Sequence, residues 1–248
     1  MARDMLKFSP TMLGDFKRCP RCFWLARNHG VKWPRGIYPS LPSGIDAVAK
    51  TYLDTWRAKG EMPLELKSQL PEGAILFKDQ ALLDKWRAWQ TGPQCQFKAH
   101  DGKILTLRGG LDDLLEFPDR TVAVLDVKTN GFGPKEGSTK KYYGRQASGY
   151  KSMLEGEGRT VSDLAHFAYF WPKEIKPNGV IDFNCQVKSI EIVSGATVGD
   201  AIAAHKCLSG PMPRAIPYNR KTDTGCEQCA YVMGRQQIIS DIKEAAKA

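Results

Sequence analysis

Two C-x-x-C pairs, Cys19-Pro-Arg-Cys22 and Cys226-Glu-Gln-Cys229, stand near opposite ends of this 248-residue chain. Four thiolates gathered in one place suit tetrahedral Zn²⁺ or an iron–sulfur cluster. A fold that gathers these four must bring both ends of the sequence together, and the bound metal then contributes folding free energy outright. Disulfides are the poorer reading. The amino terminus is charged and mixed rather than signal-like, and no apolar run reaches about 18 residues. The expected location is therefore the cytoplasm, with no membrane partner, where thiols stay reduced. Cys95, Cys185 and Cys207 lie in apolar contexts and read as buried thiols.

Between the pairs, the stretch Gly109 to Lys128 reads as a β-hairpin, with Phe117-Pro118-Asp119-Arg120 as its turn. A turn centred near Asp119 sets residues whose numbers sum to about 238 opposite one another, so Asp112 faces Asp126. The pleat places Lys128 on the face of Asp126 and sends Asp113 to the other face. Opposed carboxylates repel, and a divalent cation between them removes that penalty. Such an ion lowers the pKa of a bound water and offsets charge on a phosphate, which suits phosphodiester hydrolysis. A neighbouring lysine can orient the water or neutralise the transition state. From spacing alone, a solvated ion cluster on an exposed strand face remains an equal alternative.

Elsewhere, Ser9 and Pro10 open a helix that Pro20 ends or kinks. Lys17, Arg18, Arg21 and Trp24 interleave basic and aromatic groups in the manner of a single-strand binding surface, with packing around the cysteines as the alternative for Trp24. Ser43 caps an amphipathic helix running up to Gly60 with Asp46 in its first turn. A Pro- and Gly-rich linker over 60–74 precedes a helix over 79–91 whose inner side carries Leu82, Leu83, Trp86 and Trp89. Strands near 94–99 and 103–107 form a hairpin through Asp101-Gly102 that feeds directly into the 109–128 hairpin as an antiparallel meander. Residues 129–140 read as a mobile loop. A helix over 141–155 carries Gln146 and Tyr150 on one face, with Lys140, Lys141 and Arg145 at its beginning. Strands near 163–171 and 180–192, a helix over 198–208 and a short final helix follow. The net charge of +9 favours a polyanionic partner.

Gly110-Leu111-Asp112, Leu125-Asp126-Val127-Lys128-Thr129 and Gln146-Ala147-Ser148-Gly149-Tyr150 resemble the ordered G-x-D, (D/E)-x-K and Q-x-x-x-Y motifs of RecB-type PD-(D/E)XK nucleases. Ser9-Pro10-Thr11 followed by Cys19-Pro20 resembles the opening of the iron–sulfur branch of that group, which includes the CRISPR-associated Cas-four family. The resemblance spans nearly the whole chain. It implies a Mg²⁺- or Mn²⁺-dependent deoxyribonuclease with Asp112, Asp126 and the Val127 carbonyl as metal ligands, Lys128 as the catalytic lysine, and Gln146 and Tyr150 positioning strand and water. Many members carry a metal-binding histidine on the helix over 43–60; this chain has none there, and Asp46 is the nearest substitute. The resemblance also implies a [4Fe–4S] cluster, although the family places one cysteine early and three late. Cys22 would then supply the missing ligand, with zinc as the alternative. The partners it implies are DNA, single-stranded ends or flaps above all, and the CRISPR integrase proteins. A standalone repair or phage nuclease, and a DNA-binding scaffold with weak hydrolysis, are the alternatives.

The expected architecture is α/β: a restriction-endonuclease-like core over 37–209 with a mixed central sheet flanked by helices. Residues 1–36 and 210–248 form a cysteine lobe, so that 1–248 makes one nuclease domain.

Overall fold

A computed structural model of the chain describes residues 6–33 and 40–245; the remainder of the expected 1–36 and 210–248 segments lies outside the described residues. The chain enters through strand β1 (Lys7–Phe8) and helix α1 (Pro10–Arg18). Ser9 caps α1 by accepting from the Met12 N–H, with Pro10 at the first turn, as the sequence predicts. Cys19 has extended backbone: it ends α1 and caps α2 (Pro20–Asn28), its sulfur accepting from the Cys22 N–H. The first cysteine pair is therefore held by the geometry of a helix start.

Two mixed sheets follow, flanked by helices. Strands β2 (Ile75–Leu76), β5 (Asp113–Glu116), β6 (Val122–Thr129), β7 (Leu164–Ile175) and β8 (Ile181–Glu191) form the larger one in the order β2-β5-β6-β7-β8. The pair β6–β7 is parallel and the others are antiparallel. Hairpin β5–β6 keeps the predicted register, pairing Asp113 with Leu125 and Glu116 with Val122. The expected meander is not formed. Strands β3 (Gln94–Lys98) and β4 (Ile104–Arg108) pair with each other, but β4 then joins β1 in a separate three-stranded sheet. The break falls at Gly109-Gly110, where a Cβ on Gly110 would lie 2.5 Å from the Arg87 carbonyl oxygen. The glycine of the G-x-D motif is thus required by close backbone approach.

Helix α3 (Ser40–Ala58) covers one face of the larger sheet and α6 (Ser138–Gly156) the other, with α7 (Ala196–Ser209) packed on α6 and β4. The period of two sorts β6 cleanly: Val122 and Val124 join the core beneath α6, Ala123, Leu125 and Val127 the core beneath α3. A strand covered on both faces explains its unbroken apolar run. Several element ends differ from expectation. Helix α3 begins at Ser40, with Pro42 tolerated in its opening turn, so Ser43 lies inside the helix rather than capping it. The 60–74 linker holds a short helix, α4 (Leu64–Lys67). Helix α5 spans only Gln80–Arg87, because Ala88 turns extended; Trp86 is buried but Trp89 projects to solvent. Residues 138–140, expected in a loop, form the first turn of α6. The last helix, α8 (Glu227–Ala245), has 19 residues and is not short.

Asp113 faces away from Asp112 as predicted, into a buried ion network. Its Oδ1 accepts from Arg57 Nη2 at 2.6 Å, and Arg57 also donates to the Phe77 carbonyl at 2.7 Å. Arg87 joins Asp54 at 2.6 Å and Asp113 at 3.4 Å. Arg57→Met leaves Asp113 with weakened compensation and is expected to cost about 3–5 kcal/mol. Urea unfolding checks this, and a double Arg57→Met/Asp113→Leu variant should recover part of the loss; recovery of nothing would mean that the pair is not the source.

Candidate functional site

Asp112 sits where strand pairing ends. Beyond Leu125 the β5 backbone no longer pairs with β6, and the Val127 N–H donates instead to Asp112 Oδ2 at 3.2 Å. Arg87 Nε holds the Asp112 carbonyl at 2.9 Å. Asp126 is fully buried on the α6 face of β6, beside Asp112. Gln146 of α6 donates through Nε2 to Asp126 Oδ1 at 3.2 Å and to the Tyr150 hydroxyl at 2.7 Å. The five residues Asp112, Asp126, Lys128, Gln146 and Tyr150 therefore meet in one place. Lys128 forms an ion pair with Asp126 and lies over the Tyr143 ring, 4.6 Å from its centroid.

Burial, reinforced by the charge of Asp112 and opposed by Lys128, raises the Asp126 carboxyl to about 7. Burial works against charge on Lys128, yet Asp126 and then Asp112 hold its ammonium above the usual lysine value. Tyr150 is pushed well upward by burial and by the same two carboxylates, so it serves as a neutral hydroxyl. Asp126 Oδ2 is buried and, apart from the Lys128 ion pair, accepts no hydrogen bond. Two convergent carboxylates, one of them buried with an oxygen met only by the Lys128 ammonium, fit a hard divalent cation, with Val127 between Asp126 and Lys128 on the same strand end.

One residue in this cluster goes beyond the motif residues. Lys50 of α3 places its ammonium 2.8 Å from Asp112 Oδ1 and 2.8 Å from Asp46 Oδ2, so Asp46 reaches the site through a shared cation. Burial opposes the charge, and Asp112 followed by Asp46 holds it above the ordinary value. The i,i+4 spacing of Asp46 and Lys50 was the available signal.

The four-cysteine site is formed. Cys19, Cys22, Cys226 and Cys229 are all buried and their sulfurs lie within 4.8 Å of one another, so the group could hold a metal ion such as zinc or an iron–sulfur centre. Cys19–Cys229 and Cys22–Cys226 are 3.7 Å apart and Cys22–Cys229 3.8 Å. Backbone N–H groups of Cys22 and Cys229 point at the sulfurs of Cys19 and Cys226, the second member of each pair bonding the first. Burial, with hydrogen bonds among the thiols, raises Cys22, and burial followed by Cys19 raises Cys229 to about 11. Burial also works on Cys226, but the Cys229 N–H and neighbouring thiols bring it below its ordinary value. Trp33 and Ala215 pack against the group.

The basic and aromatic residues of the first helices serve structure in part. Trp24 donates to the Gly210 carbonyl at 3.1 Å and Arg21 to the Pro213 carbonyl at 3.1 Å, tying the early segment to the late one. Lys17 and Arg145 converge on Asp200, at 3.3 and 2.7 Å. Arg18 pairs with Asp15 at 3.7 Å and lies over Trp33; Lys140 pairs with Glu191 at 3.9 Å, and Lys141 lies over Tyr142. Cys95, Cys185 and Cys207 are only partly buried. Among the described residues no helix is long and apolar enough to cross a membrane.

No protein-family model matches the chain, and no curated protein matches it. Among solved structures, the crystal structure of SSO0001 is similar over 86% of this chain and 81% of that one, at 13% identity and a TM-score of 0.42.

Proposed function

We propose that this chain is a divalent-metal-dependent nuclease with a restriction-endonuclease-like core, acting on DNA. The observation that carries the reading is the buried Asp126 beside Asp112, with Lys128 and Gln146 on its two oxygens. Desolvated, adjacent carboxylates destabilise a fold unless a cation joins them. Asp112, Asp126 and the Val127 carbonyl would hold Mg²⁺ or Mn²⁺, which when bound supplies an activated water and charge stabilisation. Lys128, oriented by Asp126 and the Tyr143 ring, offers an ammonium to the reacting phosphate. Gln146 fixes Asp126, and Tyr150 fixes Gln146. The test is cleavage of end-labelled single-stranded and duplex DNA with Mn²⁺, Mg²⁺ or EDTA. Metal-dependent cleavage lost in Asp126→Asn supports the reading; binding without cleavage under all these conditions sinks it.

Lys50 favours a second reading, a nucleic-acid-binding scaffold with little hydrolysis, because its ammonium sits on the carboxylate a metal would use. Lys50→Met is expected to tighten Mn²⁺ binding by about tenfold, since a nearby positive charge is removed from a poorly solvated site. Calorimetric titration measures it. Weaker binding in the variant would mean that Lys50 holds Asp46 and Asp112 in position.

At the cysteines we propose a single tetrahedral zinc. Four sulfurs at about 2.3 Å from one ion stand about 3.8 Å apart, close to the separations of 3.7 and 3.8 Å between the sulfurs here. A cubane cluster, with an iron behind each thiolate, spreads them further.

A further inference from the structure

Trp89 is 70% exposed although its neighbour in the helical pattern, Trp86, is 2% exposed. It stands on the rim of a groove of about 300 Å³ that also takes in Lys7, Pro10, Arg108, Gln146 and Tyr150. Gly109 and Gly110 line it as well. A Cβ on Gly109 would make a tight contact of 3.3 Å with Pro10, and one on Gly110 would strike the Arg87 carbonyl oxygen at 2.5 Å, so Gly110 has no room for a side chain. Gln146, which lines the groove together with Trp89, donates to Asp126, so the groove shares a wall residue with the carboxylate pair. Arg108 supplies positive charge beside the indole. Arg108 is held by Gln94 and by the Gln90 carbonyl through three hydrogen bonds, leaving two of its five N–H donors for an anion.

A flat apolar face, a cation with two unused donors and a wall shared with the carboxylate pair match one occupant, an unpaired nucleotide. The base would lie on the indole and the backbone phosphate against Arg108. A base inside a duplex cannot do this, because both of its faces are already stacked. We propose that Trp89 is the stacking platform of a single-strand subsite that feeds a nucleic-acid strand towards Asp112 and Asp126. The strand's direction to those carboxylates rests on the nuclease reading; the stacking itself does not.

The test separates the two. Binding of a labelled oligothymidylate and of a blunt duplex is measured in EDTA for wild type, Trp89→Ala and Trp89→Phe, and cleavage of the same oligonucleotide is followed with Mn²⁺. Trp89→Ala is expected to weaken single-strand binding roughly tenfold, Trp89→Phe to restore most of it, and duplex affinity to stay unchanged. Equal single-strand binding in Trp89→Ala, or an equal loss on duplex, overturns the proposal. Trp89-dependent binding without cleavage leaves the subsite standing and removes the nuclease reading. Cleavage and binding indifferent to Trp89 do the reverse.

Discussion

Removing the zinc proposed at the four thiolates is expected to release the carboxy-terminal segment from the body of the protein, and Cys226→Ser is expected to do the same. From Gly210 to Gly225 the chain is mostly exposed, and its backbone order rests on isolated bridges such as Pro217 with Cys226 and Asn219 with Thr224. From Tyr231 onward the described side chains of α8 are exposed, with Tyr231, Ile238 and Ile242 all at least 60% so. Little apolar burial is therefore available to hold this segment. What remains is the four-sulfur site and a few hydrogen bonds, among them Arg21 to Pro213 and Trp24 to Gly210. Structural zinc sites contribute about 10–16 kcal/mol of apparent binding free energy at neutral pH, so losing the ion outweighs those bonds. Limited proteolysis with and without chelator measures the effect: new cleavage after Gly210 is expected, while both apolar cores, which lie elsewhere, keep the sheets folded. Unchanged proteolysis and melting after chelation would contradict it. Metal analysis of the purified protein should give one zinc per chain and no colour. A brown protein containing iron would overturn the single-ion reading.

The local chemistry of the sequence reaches a long way into this structure. The Ser9-Pro10 helix start, the stop at Cys19, the register that sums to 238 in β5–β6 and the convergence of the two cysteine pairs all follow from short-range rules or from ligand chemistry. The failures come where distant partners decide. Strands β3 and β4 have a legible hairpin turn, but their sheet is set by β4 pairing in parallel with β1, nearly a hundred residues earlier, and no local pattern reports that. Trp89 continues the apolar spacing of α5 and was expected inside; the helix stops at Arg87, where Arg87 and Trp86 are committed to the Gly110–Asp112 crossover. The sequence does not single out Lys50, because only the fold brings Asp112 to it.

Asp126→Asn is expected to lower metal-dependent cleavage by about 10³-fold, and in the absence of metal to raise stability at alkaline pH. On the proposed nuclease reading, the first effect follows from removing one of the two anionic groups that would hold the ion, which when bound would supply an activated water and offset phosphate charge. The second follows from the same burial. In the folded, metal-free protein the Asp126 carboxyl is raised to about 7, chiefly by desolvation and then by Asp112. The unfolded chain ionises it near the ordinary value of about 3.9. The group's contribution is therefore full below that ordinary value, and declines as pH rises through about 7, where the folded protein must carry a buried charge. Lys128 offsets part of that cost, and in the variant it retains Asp112 as a nearby opposite charge. Thermal melts in EDTA at pH 5 and pH 8 should show wild type losing stability over that range and Asp126→Asn losing less. Adding Mn²⁺ at pH 8 should restore wild type and leave the variant unmoved, because an ionised Asp126 is what the cation compensates. A wild type equally stable at both pH values would mean that Lys128 alone satisfies Asp126, which would remove the electrostatic case for a metal at this site and favour the scaffold reading.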